Sequence, residues 1–92
     1  MNKKYIITVA DSDCTVEQYL FYGTEEDMLE VLKRKADEER REFAEYVENV
    51  TYVEYYKYDC SWRIYIKNDE DEILEIVTAK AVETMRYLDL DL

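Results

Sequence analysis

The side chains of this chain that could do chemistry are its carboxylates, and they come in clusters. Asp11 and Asp13 stand two apart, and Glu25, Glu26 and Asp27 are contiguous. Asp69, Glu70, Asp71 and Glu72 form an unbroken run with Glu75 close behind, and Asp89 and Asp91 lie near the end. Clustered carboxylates can do three kinds of work. Paired across a deep cleft they cleave glycosidic bonds. Converging on one point they hold a hard cation. Spaced along a rigid surface they take the place of phosphates before a basic partner, because duplex DNA carries about one charge per 1.7 Å of axis.

The first two uses fit poorly. A chain of 92 residues builds one modest core and no cleft between lobes. Asp11-Ser12-Asp13 lacks the later ligands of a calcium loop, and Asn68–Glu72 lacks its central glycine. Histidine is absent, which removes imidazole ligands, proton shuttles near neutrality and histidine-based triads. The single glycine, Gly23, cannot form a phosphate-cradling loop. Cys14 and Cys60 belong to no CxxC pair and have no base beside them. The expectation is a non-enzyme with no metal and no cofactor.

The third use fits the overall charge. Twenty-three Asp and Glu face twelve Lys and Arg, a formal net charge of −11. A field of that sign repels nucleic acid and anionic membranes and attracts basic surfaces. The blander explanation is that acidity keeps a small protein soluble. Tyrosines supply a second kind of contact. There are ten, and tyrosine is a frequent interface anchor. On Val50–Tyr58, alternation puts Tyr52, Tyr56 and Tyr58 on one face and Val53 and Tyr55 on the other. Tyr65 points away from Trp62, Ile64 and Ile66. The candidate partner-binding set is therefore Asp11, Asp13, Glu25, Glu26, Asp27, Asp69, Glu70, Asp71, Glu72 and Glu75, with Tyr55 and Tyr65 as aromatic anchors.

The elements that must carry these residues are legible from pattern. Lys4–Ala10 and Val16–Tyr22 read as strands joined by turn residues. Thr24 is an N-cap with acids in the turn after it, opening a helix from Glu25 to about Glu48. Its apolar stripe is Leu29, Leu32, Ala36, Phe43 and Val47. Its outer row, Glu30, Arg34, Glu38, Arg41 and Glu45, alternates in sign. Asn49 suits the helix end. Val50–Tyr58 and Trp62–Lys67 read as strands with a tight connection at Asp59–Ser61. Ile73–Ala79 reads as a further strand in preference to a helix, followed by a turn near Val82–Met85 and a short final strand. The fold class is α+β: one domain over residues 1–92, an antiparallel ββαβββ-like sheet with one long helix on one face. No run approaches the 18 apolar residues of a membrane span, and the N-terminus is too short and polar for a signal peptide. A soluble, intracellular protein is expected.

The run VEQYLFYGTEEDMLEVLKRKADEER, with EILEIVTAKAV near the C-terminus, resembles small acidic proteins carried by phages and mobile elements of Gram-positive bacteria. The resemblance covers some 40 of the 92 residues and includes no diagnostic motif. It implies a bacterial cytoplasmic setting, at loci that often carry inhibitors of host defence, among them anti-CRISPR proteins and DNA mimics of similar size and charge. Those inhibitors share physics rather than a motif, so no residue role carries over. The leading expectation is a stoichiometric acidic inhibitor that binds the basic nucleic-acid-binding surface of a defence nuclease such as a CRISPR effector. The rival is a structural or regulatory interaction domain, such as a homodimer, whose acidity serves solubility.

Overall fold

The computed structural model describes residues 1–11, 15–58 and 61–82, of which 52–56 and 58 are described by backbone alone. Five strands and one helix follow in the order β1 (Lys3–Asp11), β2 (Val16–Gly23), α1 (Glu25–Ala44), β3 (Thr51–Tyr58), β4 (Ser61–Lys67) and β5 (Ile73–Ala81). The strands form one sheet in the order β2-β1-β5-β4-β3, with every neighbouring pair antiparallel. The α+β class, the single helix and the strand over Ile73–Ala79 are as the pattern indicates. Ser12, Asp13 and Cys14, the Asp59–Cys60 connection and everything beyond Val82 lie outside the described residues.

Period-two alternation sets which face of each strand is buried. Tyr5, Ile7 and Val9 of β1, Trp62, Ile64 and Ile66 of β4, and Val77, Ala79 and Ala81 of β5 all turn toward α1. The helix answers with Met28, Leu32 and Ala36, each fully buried. Tyr5 meets the edge of Trp62 with ring centroids 5.9 Å apart. The small side chains of Ala79 and Ala81 on the central strand leave room for the helix to lie close. Among the described residues, no helix is long and apolar enough to cross a membrane.

Both ends of α1 are set by local hydrogen bonding. At its start the Thr24 hydroxyl accepts the Asp27 N–H at 3.1 Å, and Glu25, Glu26 and Asp27 occupy the turn where the dipole favours negative charge. At its end the helix stops at Ala44, four residues before Glu48. The Tyr46 and Val47 N–H groups both reach back to the Phe43 carbonyl, at 2.9 and 2.8 Å, and Asn49 takes a left-handed conformation with φ 57°. The chain must reverse there so that Val50 can enter the core and β3 can begin at Thr51. Val47 still packs on the core, but from the connection rather than the helix.

Two pattern-based details need correction. The ion pairs of α1 run through Asp37 to Arg40 and Arg41 at 2.8 and 2.7 Å, and through Lys35 to Glu38 and Glu39 at 3.6 and 3.3 Å. The expected outer row is thus not the one that pairs. On β3, a register shift between Tyr52 and Glu54 breaks the alternation: Tyr52 pairs with Ile66 and Tyr55 with Ile64, while Tyr56 and Tyr58 pair with Arg63 and Ser61. A bulge of this kind re-phases every residue beyond it. Tyr52 therefore shares a register row with Tyr55, not with Tyr56 and Tyr58.

Leu32 lies at the centre of this packing with no exposed surface. Replacing Leu32 with Ala should cost about 2–5 kcal/mol of unfolding free energy, read as a lower denaturant midpoint with an unchanged slope. Thr24→Ala should cost about 1 kcal/mol. A loss under about 0.5 kcal/mol for L32A would contradict the placement of α1.

Candidate protein interface at the acidic end

An antiparallel sheet sends its chain ends and loops to two opposite edges, and here they differ in charge. One edge collects the end of β1 at Asp11, the start of β2, the end of β4, the start of β5 and the last turn of α1. Asp11 and Glu17 come from the first hairpin, Glu39 and Glu42 from the helix, Asp69–Glu72 from the β4–β5 loop and Glu75 from β5. The exposed C-terminal carbonyls of a helix add partial negative charge at the same edge. The opposite edge carries Lys3, Lys57 and Trp62 around Glu25, with Lys57 Nζ 3.6 Å from the Glu25 carboxylate.

This arrangement divides the candidate set. Asp11 joins Asp69–Glu72 at the acidic edge, but Glu25, Glu26 and Asp27 do not. They follow Gly23, which pairs with Lys3 at the other end of β1, on the order of 25 Å from Asp11 at 3.3 Å per residue. Tyr65 is half-buried on the sheet face away from the helix. Asp13 and the side chain of Tyr55 lie outside the described residues.

The acids of the β4–β5 loop are displayed rather than consumed by the turn. The Asn68 side-chain oxygen accepts the N–H groups of Glu70 and Glu72 at 2.9 and 3.0 Å, and the Asn68 N–H donates to the Glu72 carbonyl at 3.1 Å. Asp69 through Glu72 are all exposed. Asp69 accepts from the Asn49 amide at 3.3 Å, and Asp71 lies 3.2 Å from Lys67 Nζ. Crowding shows in Glu70, whose carboxyl is raised above its usual range by hydrogen bonding with Glu72 and by the charges of Glu72 and Asp69. On the hairpin, Asp11 closes its own turn: its carboxylate accepts the Thr15 N–H at 2.9 Å.

Glu75 departs from expectation. Grouped by sequence with the exposed acids, it is only 5% exposed. It occupies the same face of β5 as Val77, Ala79 and Ala81 and so points under the helix. There it meets Glu39, itself 7% exposed. The two carboxyls line a pocket of about 200 Å³ together with Asp11, Glu17 and Glu42, walled by Phe43 and Tyr46. Burial pushes Glu75 up to about 8, reinforced by hydrogen bonding with Glu39 and by the charges of Glu39, Asp11 and Glu42. Glu42 is raised as well, by the charge of Glu39 first and then by burial.

Lys35 borders the pocket. Lys35 Nζ lies 3.3 Å from Glu39 and 5.0 Å from the centre of the Tyr19 ring. Burial works against its charge, but hydrogen bonding to Glu39 and the nearby carboxylates outweigh that and strengthen its hold on the proton. The Tyr19 hydroxyl donates in turn to Glu17. The Glu75 Oε1 atom is fully buried and has no hydrogen-bond partner. Among the described residues, no three His, Cys, Asp or Glu side chains are grouped to hold a metal ion.

Sequence reasoning missed Glu17, Glu39, Glu42, Lys35 and Tyr46. For Glu39 a signal was present. The apolar stripe leaps seven residues from Ala36 to Phe43, and the position that fills the missing turn is a glutamate. Likewise, carrying the Val77-Ala79-Ala81 alternation back one step lands on Glu75.

The raised value for Glu75 sets a sign for pH dependence. The folded protein keeps a proton that the unfolded chain releases near 4.5, so the contribution is complete below about pH 4.5 and is lost as pH rises through about 8. Glu75→Gln should therefore gain on the parent as pH rises from 5 to 8, by roughly 2 kcal/mol at the upper end. Urea unfolding across that range reads it. A difference independent of pH would show that Glu75 does not hold its proton in the fold.

Comparison with protein-family models, with curated proteins and with solved structures finds no match to this chain.

Proposed function

We propose that this protein is a stoichiometric inhibitor whose acidic edge seats in the basic groove of a nucleic-acid-binding protein and so displaces the nucleic acid. A defence nuclease, such as a CRISPR effector, is the class of target that the sequence resemblance suggests. The observation that supports this reading is the convergence of Asp11, Glu17, Glu42 and Asp69–Glu72 on one edge of a rigid sheet. Like charges packed together lower the stability of the fold that holds them. Solubility alone would be served as well by spreading them. Entering a groove lined with Arg and Lys releases the counterions held there, as phosphates do.

A second reading has its own observation. The sheet face away from α1 exposes Leu20 at 70% and Tyr22 at 64%, with Val16 on the same edge strand. A homodimer joined through that face would leave the acids to serve solubility. Its mass in size-exclusion chromatography would stay dimeric at low and high salt alike.

The electrostatic reading is tested by displacing labelled duplex DNA from guide-loaded CRISPR effectors and restriction nucleases. Displacement should be one-to-one and should weaken steeply with salt. Neutralising Asp69, Glu70, Asp71 and Glu72 together to Asn/Gln should lower the slope of log K against log salt by roughly 2–3. Neutralising Glu25, Glu26 and Asp27 should change it little. Equal losses from both sets, or binding insensitive to salt, would rule the acidic edge out as the contact.

A further inference from the structure

We infer that the pocket between the last turns of α1 and the start of β5 is a socket for an arginine side chain of the partner, whose guanidinium donates to the unpaired Oε1 of Glu75. This rests on the reading of the acidic edge as a docking surface and specifies the group that anchors it.

The argument starts from the orphaned oxygen. Glu75 Oε1 is out of contact with solvent and has no donor, and a buried acceptor left in that state is destabilising. The Glu75 side chain helps line a pocket of about 200 Å³, several times the roughly 30 Å³ share of one water. The space suits a side-chain head that brings its own donors.

The surrounding groups narrow the identity of that head. Carboxylates face Glu75 from each side of the pocket: Asp11 on β1, Glu17 on β2, and Glu39 and Glu42 on α1. On its other flank the register partner is the apolar Ile66 of β4. The nearest cation, Lys35, is engaged with Glu38, Glu39 and the Tyr19 ring. The occupant is therefore cationic. A bare metal ion is disfavoured, because no three of the described acids are grouped for one. A guanidinium spreads five N–H donors over a planar fork and can bridge carboxylates that stand farther apart. Its flat face also stacks on aromatic rings, and Phe43 and Tyr46 supply them, Tyr46 being 84% exposed. An ammonium is a compact point charge and cannot span separated carboxylates as the planar fork does.

Entry of the cation carries a proton balance. Glu75 holds its proton in the free protein near neutrality. A guanidinium arriving beside it favours the carboxylate, and the proton leaves to solvent. Binding should therefore release about half a proton at pH 7 and tighten as pH rises from 6 to 8.

The test uses ethylguanidinium, with ethylammonium and calcium as comparators, on the full chain. Carbon-detected NMR of the carboxyl groups follows each acid. Ethylguanidinium should give saturable shifts at Glu75, Glu39 and Glu42, several-fold stronger than ethylammonium, and should lower the Glu75 midpoint by about one unit. Glu75→Gln should weaken binding five-fold or more and abolish the proton release. Glu42→Gln, at an exposed site, should weaken it without touching the core, which guards against a folding artefact in the first variant. The Asp69–Glu72 variant should leave it intact. Shifts spread equally to Glu25 and Glu26, tighter binding of calcium, or an unaffected E75Q would each overturn the socket. DNA displacement that persists in E75Q with undiminished affinity would sink the socket alone. Ethylguanidinium binding without any salt-dependent displacement would leave the socket and remove the nuclease reading.

Discussion

The seam between α1 and the central strand β5 holds the molecule together. β5 lies between β1 and β4, so a helix that packs on it touches both halves of the sheet. Val77, Ala79 and Ala81 are small enough to admit Met28, Leu32 and Ala36 closely, and none of these side chains is more than 2% exposed. β5 is also the last strand described in the chain, so the β1–β2 hairpin and the β3–β4 hairpin join into one sheet only when it inserts. Contacts this distant in sequence carry a loop-closure cost before they contribute. The apolar match with the helix is what offsets it.

The same seam explains why the acidic edge is rigid. Along β5, Val77, Ala79 and Ala81 face the buried stripe of α1. Toward the start of the strand Glu75 meets Glu39, where the apolar match gives way to two carboxyls. Around them the hairpin at Asp11 and the loop built on Asn68 are both closed by side-chain to backbone hydrogen bonds. Those bonds fix the backbone from which Asp69 through Glu72 project. A groove that binds phosphates at fixed spacing can select for such placement, and a merely soluble surface has no use for it.

Much of the fold was legible because it rests on local rules. Thr24 and its acidic turn mark the helix start, and the alternations of KYIITVA and WRIYIK mark buried strand faces. The helix end was not legible. What stops α1 at Ala44 is the need for Val50 to reach the core, and that depends on where the sheet lies. The Val53 bulge was invisible for a similar reason: a period-two pattern has no term for an extra residue, and only pairing with β4 reveals it. The candidate site was half legible. Contiguous acids in loops announce themselves, and Asp11 and Asp69–Glu72 do share an edge. Strand order decides which clusters meet, and it separates Glu25–Asp27 from the rest. Glu75 was assigned by its neighbours in sequence, although its phase with Val77 pointed inward.

That inward pair bears on purpose as well as on geometry. A leucine at position 39 would complete the helix stripe, and a valine at 75 would continue the strand alternation. Both would bury apolar surface worth about 1.5–3 kcal/mol each. The chain instead sets two carboxyls face to face, leaves one oxygen without a donor and surrounds them with further acids. Burying a carboxyl is tolerable only if it keeps its proton or gains a cation, and Lys35 already serves Glu39. Glu75 thus keeps its proton and shares a hydrogen bond with Glu39, while its Oε1 receives no donor from the fold. Groups in that condition concentrate where a protein meets something else, because the missing partner then comes from outside. On the proposed reading, the buried glutamate, rather than the more conspicuous run of acids in the loop, is where specificity would reside. The loop acids would attract any basic surface, whereas the pocket would require a donor of one shape.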